Sequence, residues 1–137
     1  MITFKMKDNQ KDWFYVRKTV FEKEQGFVEE IDDIDKRAIH LTLYEDEALV
    51  GCTRAFEDEH HEWRIGRVAL LPEYRGKGYG SILLEKTEEI LKTKGIRQVS
   101  LHAQCRVQKF YEKCGYTSIG EILYEQGVAH IQMIKKL

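Results

Sequence analysis

Three glycines occupy alternate positions in the stretch VALLPEYRGKGYGSILLEK, where an apolar run and one proline lead into a helical pattern. They are Gly76, Gly78 and Gly80, and the cations Arg75 and Lys77 flank the first of them. The N-terminus of a helix leaves about four backbone N–H groups without partners and carries roughly half a positive charge. Small residues there let an anion reach those donors. The pattern therefore predicts a pyrophosphate site at the start of a helix.

Two common phosphate-binding motifs do not match this turn. A P-loop requires GxxxxGK[ST], whereas Gly80 is followed by Ser81 and Ile82. A Rossmann fingerprint requires GxGxxG after the first strand of a βαβ unit, whereas the spacing here is GxGxG after predicted antiparallel strands. A third interpretation needs no ligand, because glycines also build tight strand-to-helix turns. Under each of these interpretations, the helix is predicted to begin near Gly78.

The elements that carry this turn follow from periodicity. Residues 1–7 alternate like a strand, and residues 12–24 place apolar side chains at helical spacing, which predicts a first helix. The acidic segment 28–38 suits a short second helix or an ordered loop. Residues 40–72 contain three strand-like runs with two short polar connections, a pattern typical of an antiparallel meander. The glycine turn then begins a helix that ends at Gly95.

The rest of the chain predicts a strand over 98–103, a short helix that Gly115 ends, and a closing hairpin of 116–120 with 128–134. Strands before helices in the first half, and alternating elements in the second, indicate a mixed α/β sheet. The closing strand 128–134 is also one that could pair with a second copy, which would give a homodimer.

The composition is that of one soluble globular domain over residues 1–137. The chain has 42% hydrophobic and 33% charged residues, and a formal net charge of -1 gives no general attraction to nucleic acid. No apolar run approaches the ~20 residues of a membrane span, and charges interrupt the opening where a signal peptide would lie. Three scattered cysteines favour buried free thiols. We therefore expect a cytoplasmic protein without nucleic-acid or membrane partners.

Two stretches resemble a known family. RVALLPEYRGKGYGSILL resembles motif A of the GNAT N-acetyltransferase superfamily, in which Arg75, Gly78 and Gly80 fill the core positions Arg/Gln-x-x-Gly-x-Gly/Ala. LHAQCRVQKFYEKCGY is similar to motif B, a strand followed by a helix with Phe-Tyr-x-x-x-Gly-Tyr/Phe, although Gln104 or Cys105 stands where motif B often begins with Asn. The opening RKTVFEKEQGF resembles the small ElaA-like members of the superfamily.

The resemblance implies a single GNAT domain, an α/β (α+β) fold whose mixed, mostly antiparallel twisted sheet is flanked by helices and splayed between the fourth and fifth strands. It also implies acetyl-CoA as co-substrate. The pantetheine arm would bond to the backbone of Val68, Ala69 and Leu70, with an N–H near Leu70 stabilising the oxyanion. The pyrophosphate would bind the backbone of Arg75, Gly76, Lys77, Gly78, Tyr79 and Gly80, with the Ser81 hydroxyl beside it.

The implied reaction is attack of a neutral amine on the thioester carbon. An alkylammonium group has a pKa near ~10.4, so about one molecule in 10³ is unprotonated at pH 7 and help with its proton is valuable. Tyr111 matches the family tyrosine that protonates the departing thiolate, although a tyrosine on an amphipathic helix is also commonly a core residue. Many members carry a base glutamate on the strand before motif A, but here that strand offers Arg64 and Arg67.

Two residues from neighbouring segments are candidates for the base, namely Glu24 and His102. Arg54 and Arg67, on adjacent predicted strands, could line an acceptor pocket and select a carboxylate-bearing amine, or could form salt bridges. We predict no metal site, because EDEHHEW reads as a solvated hairpin turn and EEIDDID lacks the glycine and terminal glutamate of a calcium loop. The acidic run instead indicates a solvated face that could border the acceptor cleft.

The resulting hypothesis is an N-acetyltransferase that moves an acetyl group from acetyl-CoA to a small-molecule amine. One alternative is a non-catalytic acyl-CoA-binding or regulatory domain, because the strand before motif A lacks the glutamate that would act as the base. Another is transfer of a longer acyl group, which would need a wider tunnel beside residues 68–70.

Overall fold

The structure is a computed structural model that describes residues 1–137. In chain order, the strands are β1 (Ile2–Lys5), β2 (Ile39–Glu45), β3 (Ala48–Glu57), β4 (Trp63–Leu70), β5 (Gln98–Gln104), β6 (Thr117–Glu125) and β7 (Val128–Lys136). The α-helices are α1 (Gln10–Arg17), α2 (Tyr79–Thr93) and α3 (Gln108–Lys113). A π-helix, Lys18–Glu24, continues α1, and 3₁₀ turns lie at Ile34–Lys36, Pro72–Tyr74 and Cys105–Val107.

All seven strands form one mixed sheet in the order β1-β2-β3-β4-β5-β7-β6. Every neighbouring pair is antiparallel except β4 and β5, which are parallel, so the predicted fold class and the meander are confirmed. The closing hairpin is also present, with longer strands than predicted. The expectation that residues 128–134 offer an edge to a second copy is wrong, because β7 is paired on both sides, with β5 and β6.

The sheet is nearly divided between β4 and β5. These strands share a single register pair, Arg64 with Ser100. On its other side, β4 has a bulge against β3, where Arg67 takes the left-handed backbone conformation with φ of 49°. Bulges bend a strand and re-aim its side chains. Beyond this point the end of β4, Val68–Leu70, borders an open cleft instead of a neighbouring strand.

Helices cover both faces of the sheet. On one face α2 buries Leu84 and Leu91 against Leu101 of β5, and α3 contributes Tyr111 to the same core. The apolar positions of α2 recur at helical spacing, which is why this face was predictable. On the other face α1 packs Trp13 with a second apolar group that includes Cys52 and Ala69. We refer to the second face as the α1 side.

The acidic segment after the π-helix is not the solvated face that the sequence suggested. It forms a loop with one 3₁₀ turn, and Glu29 and Asp35 are buried. Arg17, which is 1% exposed, donates to Glu29 Oε1 at 2.6 Å and to both Asp35 carboxylate oxygens at 2.7 and 3.0 Å. Arg54 Nη1 donates to Asp35 Oδ1 at 2.9 Å. The segment is acidic because it neutralises buried arginines.

The cysteines differ in their surroundings, so the expectation of buried thiols is correct only in part. All three are free, but only Cys52 is buried, whereas Cys105 and Cys114 are partly exposed. Burial raises the pKa of the Cys52 thiol to about 12. This thiol is therefore protonated at neutral pH and behaves as an apolar core residue.

Replacing Asp35 with Asn is expected to destabilise the protein by about 3–5 kcal/mol, because two buried guanidinium groups lose their shared countercharge. Burial alone would raise the pKa of Asp35, but hydrogen bonds from Arg17, the Asp32 N–H and Arg54 hold it well below its usual range. Its contribution is therefore present above about pH 4, the unfolded value, and is lost as the pH falls below that.

Urea denaturation of the wild type and D35N across pH measures both effects. Asp33→Asn is the matched control, since the Asp33 side chain is 97% exposed in the same segment. D33N should stay within about 0.5 kcal/mol of the wild type. Equal stabilities of D35N and D33N at pH 7 would contradict the role given to the buried network.

Candidate functional site

The turn before α2 leaves a run of backbone donors free. Gly76 and Gly78 take left-handed conformations with φ of 74° and 85°, and Gly78 is the N-cap of α2 with no side-chain cap. The first helical bond runs from the Ile82 N–H to the Gly78 carbonyl. The N–H groups of residues 76–81 have no hydrogen-bond partner within the chain. The predicted helix start is confirmed, and the arrangement can bind an anion with main-chain groups.

The three glycines are needed for different reasons. A Cβ at Gly76 or Gly78 would meet nothing within 4 Å, so these two positions need glycine for their backbone conformation. A Cβ at Gly80 would lie 2.9 Å from Cζ of Phe110, so this position needs glycine for close packing of α2 on α3. The loop is therefore shaped by backbone conformation and the helix contact by side-chain volume.

The two cationic positions of the turn have tasks of their own. Arg75 donates to both carboxylate oxygens of Glu24, at 2.9 and 2.6 Å, and to the Leu70 carbonyl at 3.2 and 2.9 Å. Lys77 lies 5.9 Å from the ring of Tyr74. Arg75 therefore ties the end of β4 to the π-helix. The positive charge of Arg75 is paired with the Glu24 carboxylate.

Glu24, one of the two candidates for the base, is thus half of an ion pair. Hydrogen bonds from Arg75 lower the pKa of the Glu24 carboxyl. A carboxylate with a lowered pKa is a weaker proton acceptor. The geometry gives Glu24 a positioning role at the cleft wall.

The free end of β4 directs backbone groups of Leu70 toward the cleft. Leu71 donates its N–H to the Val50 carbonyl on β3. Because successive residues of a strand point their N–H groups to opposite sides, the N–H of Leu70 points away from β3. The bonds from Arg75 to the Leu70 carbonyl, which shares that side, agree with this direction. An N–H in this place can stabilise a developing oxyanion.

Tyr111 reaches the cleft from α3. It is 8% exposed, and its ring packs edge-on against Phe110 and Tyr116 at centroid distances of 5.1 and 5.9 Å. Tyr111 is one of the residues that line the cleft. Burial raises the pKa of Tyr111 above its usual value. It is therefore protonated at neutral pH, the state that a proton donor requires, and it is also a core aromatic.

His102 lies on the α1 side of β5 within a group of titratable side chains. Its Nδ1 is 2.6 Å from Oε2 of Glu125 and 3.1 Å from Nη2 of Arg64. The other oxygen of Glu125 lies 3.8 Å from Nε2 of His130, whose Nδ1 donates to the Val128 carbonyl at 2.8 Å. Sequence reasoning missed Glu125 and His130, because only the register of the last three strands brings them beside His102.

The expected acceptor arginines are both engaged with carboxylates. Arg54, which is 4% exposed, donates to Asp32 and Asp35 at 2.8 and 2.9 Å. Arg67 donates to Glu29 at 3.1 Å. Both arginines line the cleft, and both also form the salt bridges that the sequence allowed.

Most of these groups line one cleft of about 1140 Å³. Sites for small molecules usually measure ~300–1000 Å³, so this cleft has room for a coenzyme and a second substrate. It runs from the glycine turn along residues 68–70 to His102, and Tyr111 borders it from α3. Its wall on the α1 side carries three aromatic rings, those of Phe21, Phe27 and Phe56.

Comparison with known proteins places the chain in a family. Residues 5–116 match the model of the acetyltransferase (GNAT) family. The chain belongs to the GNAT family. It is 33% identical over 134 residues to the uncharacterized N-acetyltransferase YjcF of Bacillus subtilis, covering 96% of this chain and 95% of that one. A second B. subtilis protein, YyaT, is 32% identical over 127 residues, with 89% and 85% covered.

Solved GNAT structures share the whole architecture. Escherichia coli ElaA superposes with a TM-score of 0.85 at 27% identity, covering 98% of this chain and 99% of ElaA. An acyl-CoA N-acyltransferase from Pseudomonas aeruginosa gives 0.84 at 25% identity, with 98% of both chains covered. The PaiA N-acetyltransferase of Thermoplasma acidophilum, solved with coenzyme A, shares the fold at a TM-score of 0.75 and 18% identity, with 100% and 99% covered.

Two further findings concern the expected absences. The chain contains no group of three or more His, Cys, Asp or Glu side chains arranged to share a metal ion, and His60 and His61 stand exposed on the turn between β3 and β4. None of the helices combines the length and the apolar character that a membrane crossing requires.

Proposed function

We propose that this GNAT protein is an acetyl-CoA-dependent N-acetyltransferase that acts on a primary amine of a small molecule. The observation that carries the proposal is the run of free N–H groups at residues 76–81, which opens into the same cleft as the unpaired end of β4. A row of main-chain donors suits a diphosphate, and an unpaired strand suits an extended amide chain. Coenzyme A contains both groups.

The coenzyme would lie along the cleft in two parts. Its pyrophosphate would accept hydrogen bonds from residues 76–81, with the Ser81 hydroxyl beside them. Its pantetheine arm would bond to the backbone of Val68–Leu70. PaiA, which shares the fold, was solved in complex with coenzyme A, and this supports coenzyme A as the ligand.

Direct transfer follows from that placement. The amine nitrogen attacks the thioester carbonyl carbon, and the oxyanion that forms accepts a hydrogen bond from the Leu70 N–H. The C–S bond then breaks, and the Tyr111 hydroxyl gives its proton to the departing thiolate sulfur.

A thiol-release assay with acetyl-CoA and a panel of amines tests the reaction, with calorimetry of acetyl-CoA as a separate measure of binding. We expect both coenzyme uptake and amine-dependent thiol release. Binding of acetyl-CoA without thiol release in the presence of any amine would favour the non-catalytic acyl-CoA-binding domain. Faster release from longer acyl-CoA thioesters would favour the longer acyl group, and absence of uptake would refute the proposal.

Gly78→Ala tests the diphosphate site, with Gly95→Ala as its matched control at the other end of α2. The two glycines have φ of 85° and 83°, and a Cβ at either would meet nothing within 4 Å, so both variants should lose about 1–2 kcal/mol of stability. Only G78A should disturb the donors. We expect it to weaken acetyl-CoA binding about 10–100-fold, the loss of one charge-assisted hydrogen bond, while G95A leaves affinity unchanged.

Tyr111→Phe tests the proton donor. We expect kcat to fall about 10²-fold or more with acetyl-CoA affinity retained. Tyr116→Phe is the control, because the Tyr116 hydroxyl donates to Glu88 at 2.7 Å in the core and does not line the cleft. Y116F should lose stability but keep kcat. Wild-type kcat in Y111F would remove the assignment.

A further inference from the structure

We propose that His102 accepts the proton of the acceptor amine and that Glu125 positions it for this task. The inference rests on the proposed acetyl transfer. It concerns the step for which the β4 strand supplies no glutamate and for which Glu24, paired with Arg75, is poorly suited.

The contact between the two side chains determines which nitrogen is free. The Glu125 carboxylate can only accept, so at 2.6 Å Nδ1 of His102 donates its hydrogen to it. The longer contact of Nδ1 with Arg64 Nη2, at 3.1 Å, is then not a hydrogen bond, because a guanidinium can only donate. The neutral imidazole then carries its lone pair on Nε2, which is the atom that can accept a proton. A carboxylate in this position also stabilises the imidazolium that forms. In other enzymes with such a pair, the carboxylate likewise orients the histidine and the histidine accepts the proton.

The location of His102 agrees with the direction of the reaction. It projects from the α1 side of β5, whereas Tyr111 belongs to the core on the opposite face. Both border the gap between β4 and β5. An amine that enters from the α1 side would lose its proton to His102, and the thiolate would gain one from Tyr111 across the gap.

Four elements contribute titratable side chains to the cleft around His102. Arg64 lies on β4, Glu125 on β6 and His130 on β7, and Glu24 of the π-helix borders the same cleft in its pair with Arg75. Glu125 is the only carboxylate in contact with the His102 ring. Its removal should therefore make the imidazolium less stable.

The step balances without a further reactant. The amine nitrogen forms the C–N bond and passes one proton to Nε2 of His102. The thioester C–S bond breaks, and the sulfur takes the Tyr111 proton. Afterwards the imidazolium loses its proton to water and the tyrosine regains one, so that the enzyme returns to its starting state.

The test measures kcat/KM against pH for an amine that the wild type acetylates. A general base must be unprotonated to act, so we expect the wild-type profile to rise with pH along an acidic limb. His102→Gln should lower kcat/KM about 10²-fold or more and abolish that limb. Glu125→Gln should lower kcat/KM by a smaller factor than His102→Gln does. It should also move the acidic limb of the profile to lower pH, because the Glu125 carboxylate that stabilises the imidazolium is removed.

Two measurements separate this inference from other failures. His60→Gln, on the exposed turn, is the matched control and should keep the wild-type profile. Calorimetry of acetyl-CoA checks that H102Q and E125Q retain the fold, and added imidazole should partly restore His102→Ala. A wild type inactive with every amine would refute the proposed function itself. If the wild type is active and H102Q keeps the acidic limb of the kcat/KM profile, only the role of His102 is overturned.

A different observation indicates the class of acceptor. Three arginines of the sheet line the cleft, and two of them, Arg54 and Arg67, are paired with carboxylates. The third, Arg64, has no ion pair. Its guanidinium lies 5.6 Å from the ring of Phe56 and contacts His102. We infer that Arg64 binds an acidic group of the acceptor, a few bonds from the amine.

Matched acceptors test this second inference. Amino acids and their uncharged amides should differ in kcat/KM, with the free acids preferred by the wild type. Arg64→Gln should reduce that preference about tenfold or more, the effect of losing one charge-assisted pair. Arg37→Gln is the control, because Arg37 also lies 5.7 Å from the Phe56 ring but does not line the cleft. Equal use of acids and amides by the wild type would overturn the inference.

Discussion

The whole arrangement depends on the loss of pairing between β4 and β5. One register pair, Arg64 with Ser100, joins the two halves of the sheet, and the bulge at Arg67 turns the rest of β4 away from a regular ladder. Because β5 does not take up its hydrogen-bonding groups, the edge of β4 at Leu70 faces open space. The start of α2 opens into that space. A continuous ladder would satisfy these groups and leave no cleft.

Charge is distributed unequally along this cleft. The α1 side of the sheet carries several arginines, and the acidic loop supplies buried carboxylates that neutralise them, above all Asp35 between Arg17 and Arg54. Such buried pairs add little net stability compared with apolar replacements, but breaking one is costly. The network therefore holds the loop against the sheet. It leaves the region around His102 and Arg64 as the part of the α1 side whose charges are not already committed to that loop.

The fold could be predicted almost completely from the sequence, because its signals are local. Apolar spacing marked the first helix and α2, alternation marked the meander, and three alternating glycines marked the helix start. The partners of Arg54 and the contact of His102 with Glu125 could not be predicted, because they depend on strand register and on a loop without periodicity. The same limit explains why the sequence does not show that the strand at residues 128–134 is paired on both sides. Pairing order is a property of the assembled sheet and not of any one strand.

The donors at the start of α2 belong to the main chain, and this affects how sequence variation should be interpreted. A point substitution at Lys77 or Tyr79 removes a side chain that packs near Tyr74, but the N–H remains. Tolerance of change at such positions is thus compatible with direct contact to a ligand. The groups around His102 are side chains and disappear when they are exchanged. The main-chain donors at the start of α2 can therefore persist when the side chains there change. The region around His102 can change its acceptor when its side chains are exchanged.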